Sequence, residues 1–214
     1  MIVLQNYRTI AANGSFEKDI KKSRFIAHIA QTNSEEEAKS FIQKIREEEK
    51  DATHNCTAYI VLENVKIERM SDDGEPSGTA GSPILNVLQQ NELENVTAVV
   101  TRYFGGIKLG AGGLIRAYSS TTADAIKDIG LVENRIQQGY LISIPYNLFD
   151  KFENYAKNQK ITLEEKQFST DVKTNIFLDL SEQEKLIQDI RDQFQNQISF
   201  EKTSKEFKQV PIKD

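Results

Sequence analysis

One cysteine, Cys56, cannot close an internal disulfide, and with only two histidines, His28 and His54, no structural zinc spacing can be assembled. No apolar run approaches the roughly 18 residues that a membrane-spanning helix requires, so no membrane partner is expected. The N-terminal stretch MIVLQNYRTIAANGSFEKD lacks a basic start, an apolar run and a small-residue cleavage site, which makes a secretory signal unexpected and the cytoplasm the default location. Also missing are GxSxG, HExxH and any Ser-His-Asp order, so the chain offers no assembled catalytic motif. Neither a metal nor a cofactor is expected.

Acidic residues are absent from one particular place. Between Asn95 and Ala123 there is no Asp or Glu, only Arg102, Lys108 and Arg116, although the whole chain carries a net charge of −5. Residues 1–133 hold 15 basic and 19 acidic side chains, and residues 134–214 hold 12 and 13. Neither half is basic overall, which excludes indiscriminate coating of nucleic acid and leaves room for a local positive patch. That same stretch, TRYFGGIKLGAGGLIR, concentrates Gly105, Gly106, Gly110, Gly112 and Gly113 within nine positions, nearly half of the chain's 11 glycines.

The glycine stretch follows the β-branched run NVTAVVTRY (95–103) and opens a helical pattern stopped by Gly130, the context in which backbone N–H groups and a helix N-terminus hold an anion. Gly105 and Gly110 have the spacing of a P-loop, but Ala111 and Gly112 stand where Lys and Ser/Thr would be needed, and no complete GxGxxG is present. Two readings remain. Either the glycines serve tight packing and positive φ, or, as the three cations favour, the loop meets an anion or a phosphate backbone.

A second loop, SDDGEPSGTAGSP, has the opposite sign. Asp72, Asp73 and Glu75, with Thr79, are candidates for ligand or acid/base chemistry, although Asp-Gly is equally a turn signal and the favoured reading is structural. His54 and Cys56 in HNCTAY are two residues apart on one strand, a same-face pair. Such neighbours sit about 6 to 7 Å apart, too far for a direct Cys/His dyad, so a buried thiol beside a half-buried imidazole is favoured.

Length and periodicity suggest two domains of ordinary size, 1–133 and 134–214, with the polar stretch VENRIQQ (132–138) as the best boundary. The first mixes strands at 25–29, 57–62, 65–70 and 95–103 with helices opening at Asn33 or Ser34, at Ser82-Pro83 and after the glycine loop. The second reads as strand, helix, strand, strand, helix, strand, with Asn147 and Ser181 placed as helix caps. That βαββαβ order is ferredoxin-like. The expected class is α+β.

Three strings together, HNCTAY, SDDGEPSGTAGSPIL and VTRYFGGIKLGAGGLIRAYSS, resemble the signature of the YigZ/IMPACT family, and the second domain resembles the additional one of its bacterial YigZ-type members. The resemblance implies an α/β two-layer first domain like the fourth domain of elongation factor G, certain ribosomal proteins and the GHMP kinases, followed by a domain like the fifth domain of elongation factor G. It also implies a link to translation, since eukaryotic relatives act in translational control. The resulting expectation is a non-enzymatic module that meets RNA, the ribosome or a translation-related protein through the glycine-rich basic loop. The alternative is a peptidase-like or kinase-like enzyme on a small phosphorylated or carboxylated ligand, using residues 72–75 as metal or base site.

Overall fold

A computed structural model describes residues 5–212, in which 7–133 and 134–209 form the bodies of two compact units. Together they hold ten strands and five α-helices, a mixed α+β architecture. No described helix is long and apolar enough to cross a membrane.

The first unit contains β1 (Tyr7–Ile10), β2 (Gly14–Ile20), β3 (Ser23–Gln31), α1 (Glu35–Glu48), β4 (His54–Leu62), β5 (Lys66–Ser71), α2 (Gly81–Gln90), β6 (Val96–Tyr103) and α3 (Ala111–Ile129). Five of these strands make an antiparallel sheet in the order β2-β3-β6-β4-β5. Alternation along β4 and β6 sends Cys56, Ala58 and Ile60, and Val96, Ala98 and Val100, to the face that packs α2 and α3. The alternate residues Tyr59, Val61 and Val99 meet Ala38, Ile42 and Ile45 of α1, which adds a partial layer on the other face. Both faces of β4 and β6 are thus covered, which explains why these strands are apolar almost throughout.

Helix termini show where local sequence signals act. Ser34 caps α1, its Oγ accepting the N–H of Glu37 at 3.1 Å, and Gly130 ends α3 at φ 83°. Ser82, expected as a cap, instead lies inside α2, whose N-cap is Ala80 with no side-chain bond of its own. The cap comes from eight and nine residues upstream: Asp72 Oδ1 accepts the N–H groups of Ala80 at 3.0 Å and Gly81 at 2.8 Å, while Oδ2 accepts that of Gly78 at 2.8 Å.

Burial alone would raise the Asp72 pKa, but those three N–H groups outweigh it and hold the carboxyl below its ordinary value. Asp72→Ala is therefore expected to destabilise the first unit by about 2 kcal/mol at neutral pH. A depressed carboxyl contributes stability above its unfolded-state pKa and loses that contribution as pH falls through the folded value. The gap between wild type and variant should accordingly narrow between about pH 7 and about pH 3. Urea unfolding at both pH values measures it, and a pH-independent gap would contradict the capping role.

In the second unit β7 (Leu131–Pro145), which begins in the first, is followed by a 3-10 turn (Tyr146–Leu148), α4 (Phe149–Asn158), β8 (Glu164–Phe168), β9 (Asp171–Asp179), α5 (Gln183–Gln193) and β10 (Ser199–Pro211). The βαββαβ order is present, with β9 between β7 and β8 and with β10 on β7. Its core gathers Ile142, Ile144 and Ile176 from the sheet with Phe152 and Ile190 from the helices and Phe194 from the C-cap of α5. Neither Asn147 nor Ser181 caps a helix, because the 3-10 turn moves the α4 N-cap to Leu148 and α5 starts after Glu182. Nor is 132–138 an irregular connection. It is the first half of β7, with Val132, Asn134, Ile136 and Gln138 buried and the residues between them half-buried.

Candidate functional site

β6 ends in the glycine loop, and α3 begins where that loop ends. At its start Phe104 N–H donates to Thr53 Oγ1, just before β4, at 3.0 Å and Gly105 N–H to Ser23 Oγ, at the start of β3, at 3.2 Å, which pins the chain on both sides. Gly105 fits there only because it has no side chain: a Cβ would overlap the Lys22 carbonyl and approach Ser23 N to 2.7 Å. Gly106 and Gly110 have φ of 85° and 71° with open space beside them, so their role is conformational. Gly112 and Gly113 lie in the first turn of α3.

The three cations of the loop part company. Lys108 and Arg116 are exposed, whereas Arg102 is 5% exposed and turns inward. Strand alternation is the reason, because Arg102 continues the row Val96, Ala98, Val100 that faces α2 and α3. Its Nη1 donates to Glu75 Oε1 at 2.7 Å, and Glu75 Oε1 also accepts the Tyr118 hydroxyl at 2.8 Å. The guanidinium carbon lies 5.5 Å from the Phe25 ring centre and 5.3 Å from that of Phe104. Arg102 is thus the buried partner of the acidic loop, which separates it from the outward-facing pair Lys108 and Arg116.

Each acid of residues 72–75 is similarly occupied. Asp72 caps α2 as described. Asp73 accepts Asn55 N–H at 2.7 Å and pairs with Arg46 at 3.1 Å, and Glu75 holds Arg102 and Tyr118. Thr79 is buried and donates its hydroxyl to Pro76 O at 2.6 Å, closing the turn. These bonds supply a structural role for every carboxylate in the loop. Among the described residues no group of three or more His, Cys, Asp and Glu side chains is placed to hold a metal ion.

His54 and Cys56 share a strand but have separate partners. His54 Nδ1 donates to Asp73 O at 2.8 Å and its Nε2 stands 4.0 Å from Glu75 Oε2. Cys56 Sγ lies 3.0 Å from Asp72 O and 3.4 Å from Tyr118 Oη. Burial pushes the Cys56 thiol up to about 12, so it stays protonated at neutral pH and is a poor nucleophile.

Two surfaces result. Above the Glu75–Arg102 pair lies a pocket of about 420 Å³ lined by both residues, by His54 and by Phe104, Lys108 and the start of α3. Beside it Lys21 and Arg116, with Leu109 and Gly113, line a hollow of about 220 Å³. Lys21 and Lys22 form the β2–β3 turn and are exposed. Some 80 residues of chain separate them from the loop that they meet, so no local sequence signal joins the two.

Residues 21–126 match the Impact N-terminal domain, and residues 142–197 match a domain of unknown function, DUF1949. "IMPACT family member YvyE" of Bacillus subtilis is 44% identical over 180 residues, covering 84% of this chain and 83% of its own. The chain belongs to the IMPACT family. Within it, "IMPACT family member YigZ" of Escherichia coli is 41% identical over 128 residues, covering 59% of this chain and 63% of that one. The mouse "Protein IMPACT" is 36% identical over 95 residues, 42% of this chain and only 29% of its own length. A crystal structure described as a hypothetical protein is 28% identical, with a TM-score of 0.59 over 94% of this chain and 99% of the other. All of the glycine loop and the acidic loop falls within the Impact N-terminal match.

Proposed function

We propose that this IMPACT-family chain is a non-enzymatic, cytoplasmic binding protein of the translation apparatus, which grips RNA phosphates with the rim around its glycine loop. The observation that carries this reading is the convergence of Lys21, Lys22, Lys108 and Arg116, all exposed, on a loop whose glycines allow close backbone approach. Among the described residues none of these four side chains forms an ion pair. Cations without carboxylate partners are free to displace counterions from a phosphate backbone. The net charge of −5 restricts such binding to a defined structure on the RNA. The translational setting comes from the family resemblance. The enzymatic alternative has less support, since Asp72, Asp73 and Glu75 are each bound to N–H, O–H or guanidinium groups of the fold.

Replacing Lys21, Lys22, Lys108 and Arg116 together by Glu is expected to reduce ribosome co-sedimentation at least about 100-fold and to flatten its salt dependence by about one unit of log-log slope per lost phosphate contact. Retention of full co-sedimentation by a folded variant would overturn the proposal.

A further inference from the structure

The pocket above Arg102 shares Lys108 with the basic rim, but its chemistry is different. Phe104, Leu109, Leu114 and Pro76 give it mostly apolar walls. Phe104 remains 46% exposed, an unusual position for a ring that also contacts a buried guanidinium. At about 420 Å³ the pocket lies within the roughly 300 to 1,000 Å³ that small-molecule sites occupy.

Its polar groups favour one sign of charge. Gly110 and Ala111, where the 19-residue helix α3 begins, are part of the lining. The first intrahelical bond there runs from Leu114 N–H to Gly110 O, which leaves the earlier N–H groups of the turn without helical acceptors. A helix N-terminus also carries about half a positive charge. Lys108 adds a whole one from the side. Glu75 offsets Arg102, so the pocket's surplus is positive by Lys108 and the helix end.

An independent observation points to a missing acceptor. Arg102 lines the pocket and its side chain is 6% exposed, yet its Nε is buried with no hydrogen-bond partner among the described residues. Buried guanidinium N–H groups are costly to leave unpaired. An acceptor oxygen supplied from the pocket, beside the apolar walls, would satisfy it once the guanidinium shifts to uncover that atom, which is closed to solvent as it stands.

We propose that this pocket binds a small ligand consisting of a planar apolar body that carries an oxyanion, either a phosphate monoester or a carboxylate. The oxyanion sits between Lys108, the α3 N-terminus and Arg102. The body lies against Phe104 and Leu114. Lys108 serves both this pocket and the rim, so the two are told apart at Phe104 and Leu114, which line the pocket alone, and at Lys21 and Arg116, which line only the hollow beside it.

The test is a titration of the full chain with phenyl phosphate, benzoate, inorganic phosphate and benzyl alcohol, followed through backbone amide resonances. Saturable shifts of Ala111, Gly112 and Gly113 are expected with phenyl phosphate or benzoate, and whichever of the two binds tighter identifies the oxyanion. Inorganic phosphate and benzyl alcohol should each bind at least about tenfold more weakly. Lys108→Ala and Phe104→Ala, both at exposed positions and so compatible with folding, should each weaken binding about tenfold, whereas Lys44→Ala, exposed on α1 and outside both surfaces, should leave it unchanged. The proposal is overturned if neither aromatic anion gives saturable shifts below about 10 mM, a very weak limit for any specific site. It is also overturned if inorganic phosphate binds as tightly as phenyl phosphate, or if Lys108→Ala and Phe104→Ala have no effect.

Discussion

Gly105→Ala should unfold or severely destabilise the first unit, with a loss of at least about 3 kcal/mol. The added methyl would collide with the Lys22 carbonyl and crowd Ser23 N, both backbone atoms of the turn between β2 and β3. A flexible side chain could swing away from such an intruder, but main chain held in a sheet cannot. Relief requires parting the β6 end from that turn, which also breaks the Gly105 N–H bond to Ser23 Oγ. The same substitution at Gly106 meets nothing within 4 Å and is strained only by positive φ. It should cost about 1 kcal/mol. Thermal unfolding of the two variants distinguishes these roles, with a fall on the order of 10 °C for Gly105→Ala and of about 3 °C for Gly106→Ala. Equal effects at the two positions would show that close approach is not what selects glycine at 105.

A loss of about 3 to 5 kcal/mol is expected from Glu75→Leu. The Arg102 guanidinium would be left charged in a site where its side chain is 6% exposed, with only Ser23 Oγ at 3.4 Å as a remaining polar contact in the set that it now uses. Tyr118 would lose its acceptor in the same step. Arg102→Met alone should also destabilise, since Glu75 would then be the uncompensated buried ion. The two changes are coupled through one contact, so Glu75→Leu combined with Arg102→Met should recover most of either single loss. Urea unfolding of the two single variants and the double variant closes the cycle. Simple additivity of the single losses would mean that the pair has no role as a pair.

The pair also shows what a linear reading can and cannot extract. Strand alternation through Val96, Ala98 and Val100 carries the information that Arg102 faces inward, yet the charge of TRYFGGIK draws attention to a surface role. Its partner, Glu75, is 27 residues away in a loop whose composition signals only a turn. Signals confined to one turn of chain were legible, as at Ser34 and Gly130. The Asp72 cap was not, because a loop must fold back over six to nine residues before the carboxylate reaches its N–H groups. Asn147 and Ser181 illustrate the reverse. Both are good capping residues by type, but a 3-10 turn and a shifted start place other residues at the caps.

The turn of the first hairpin has a further consequence. Lys21 and Lys22 occupy it with φ of 47° and 65°, left-handed values that Asn and Gly adopt with less strain than lysine does. Nothing in the pairing of Ile20 with Ser23 demands long charged side chains there. Thermal robustness and retention of positive charge therefore pull this turn toward different residues. A laboratory lineage selected for heat resistance alone would drift toward Asn-Gly at 21 and 22, and in doing so would strip half of the four cations from the rim.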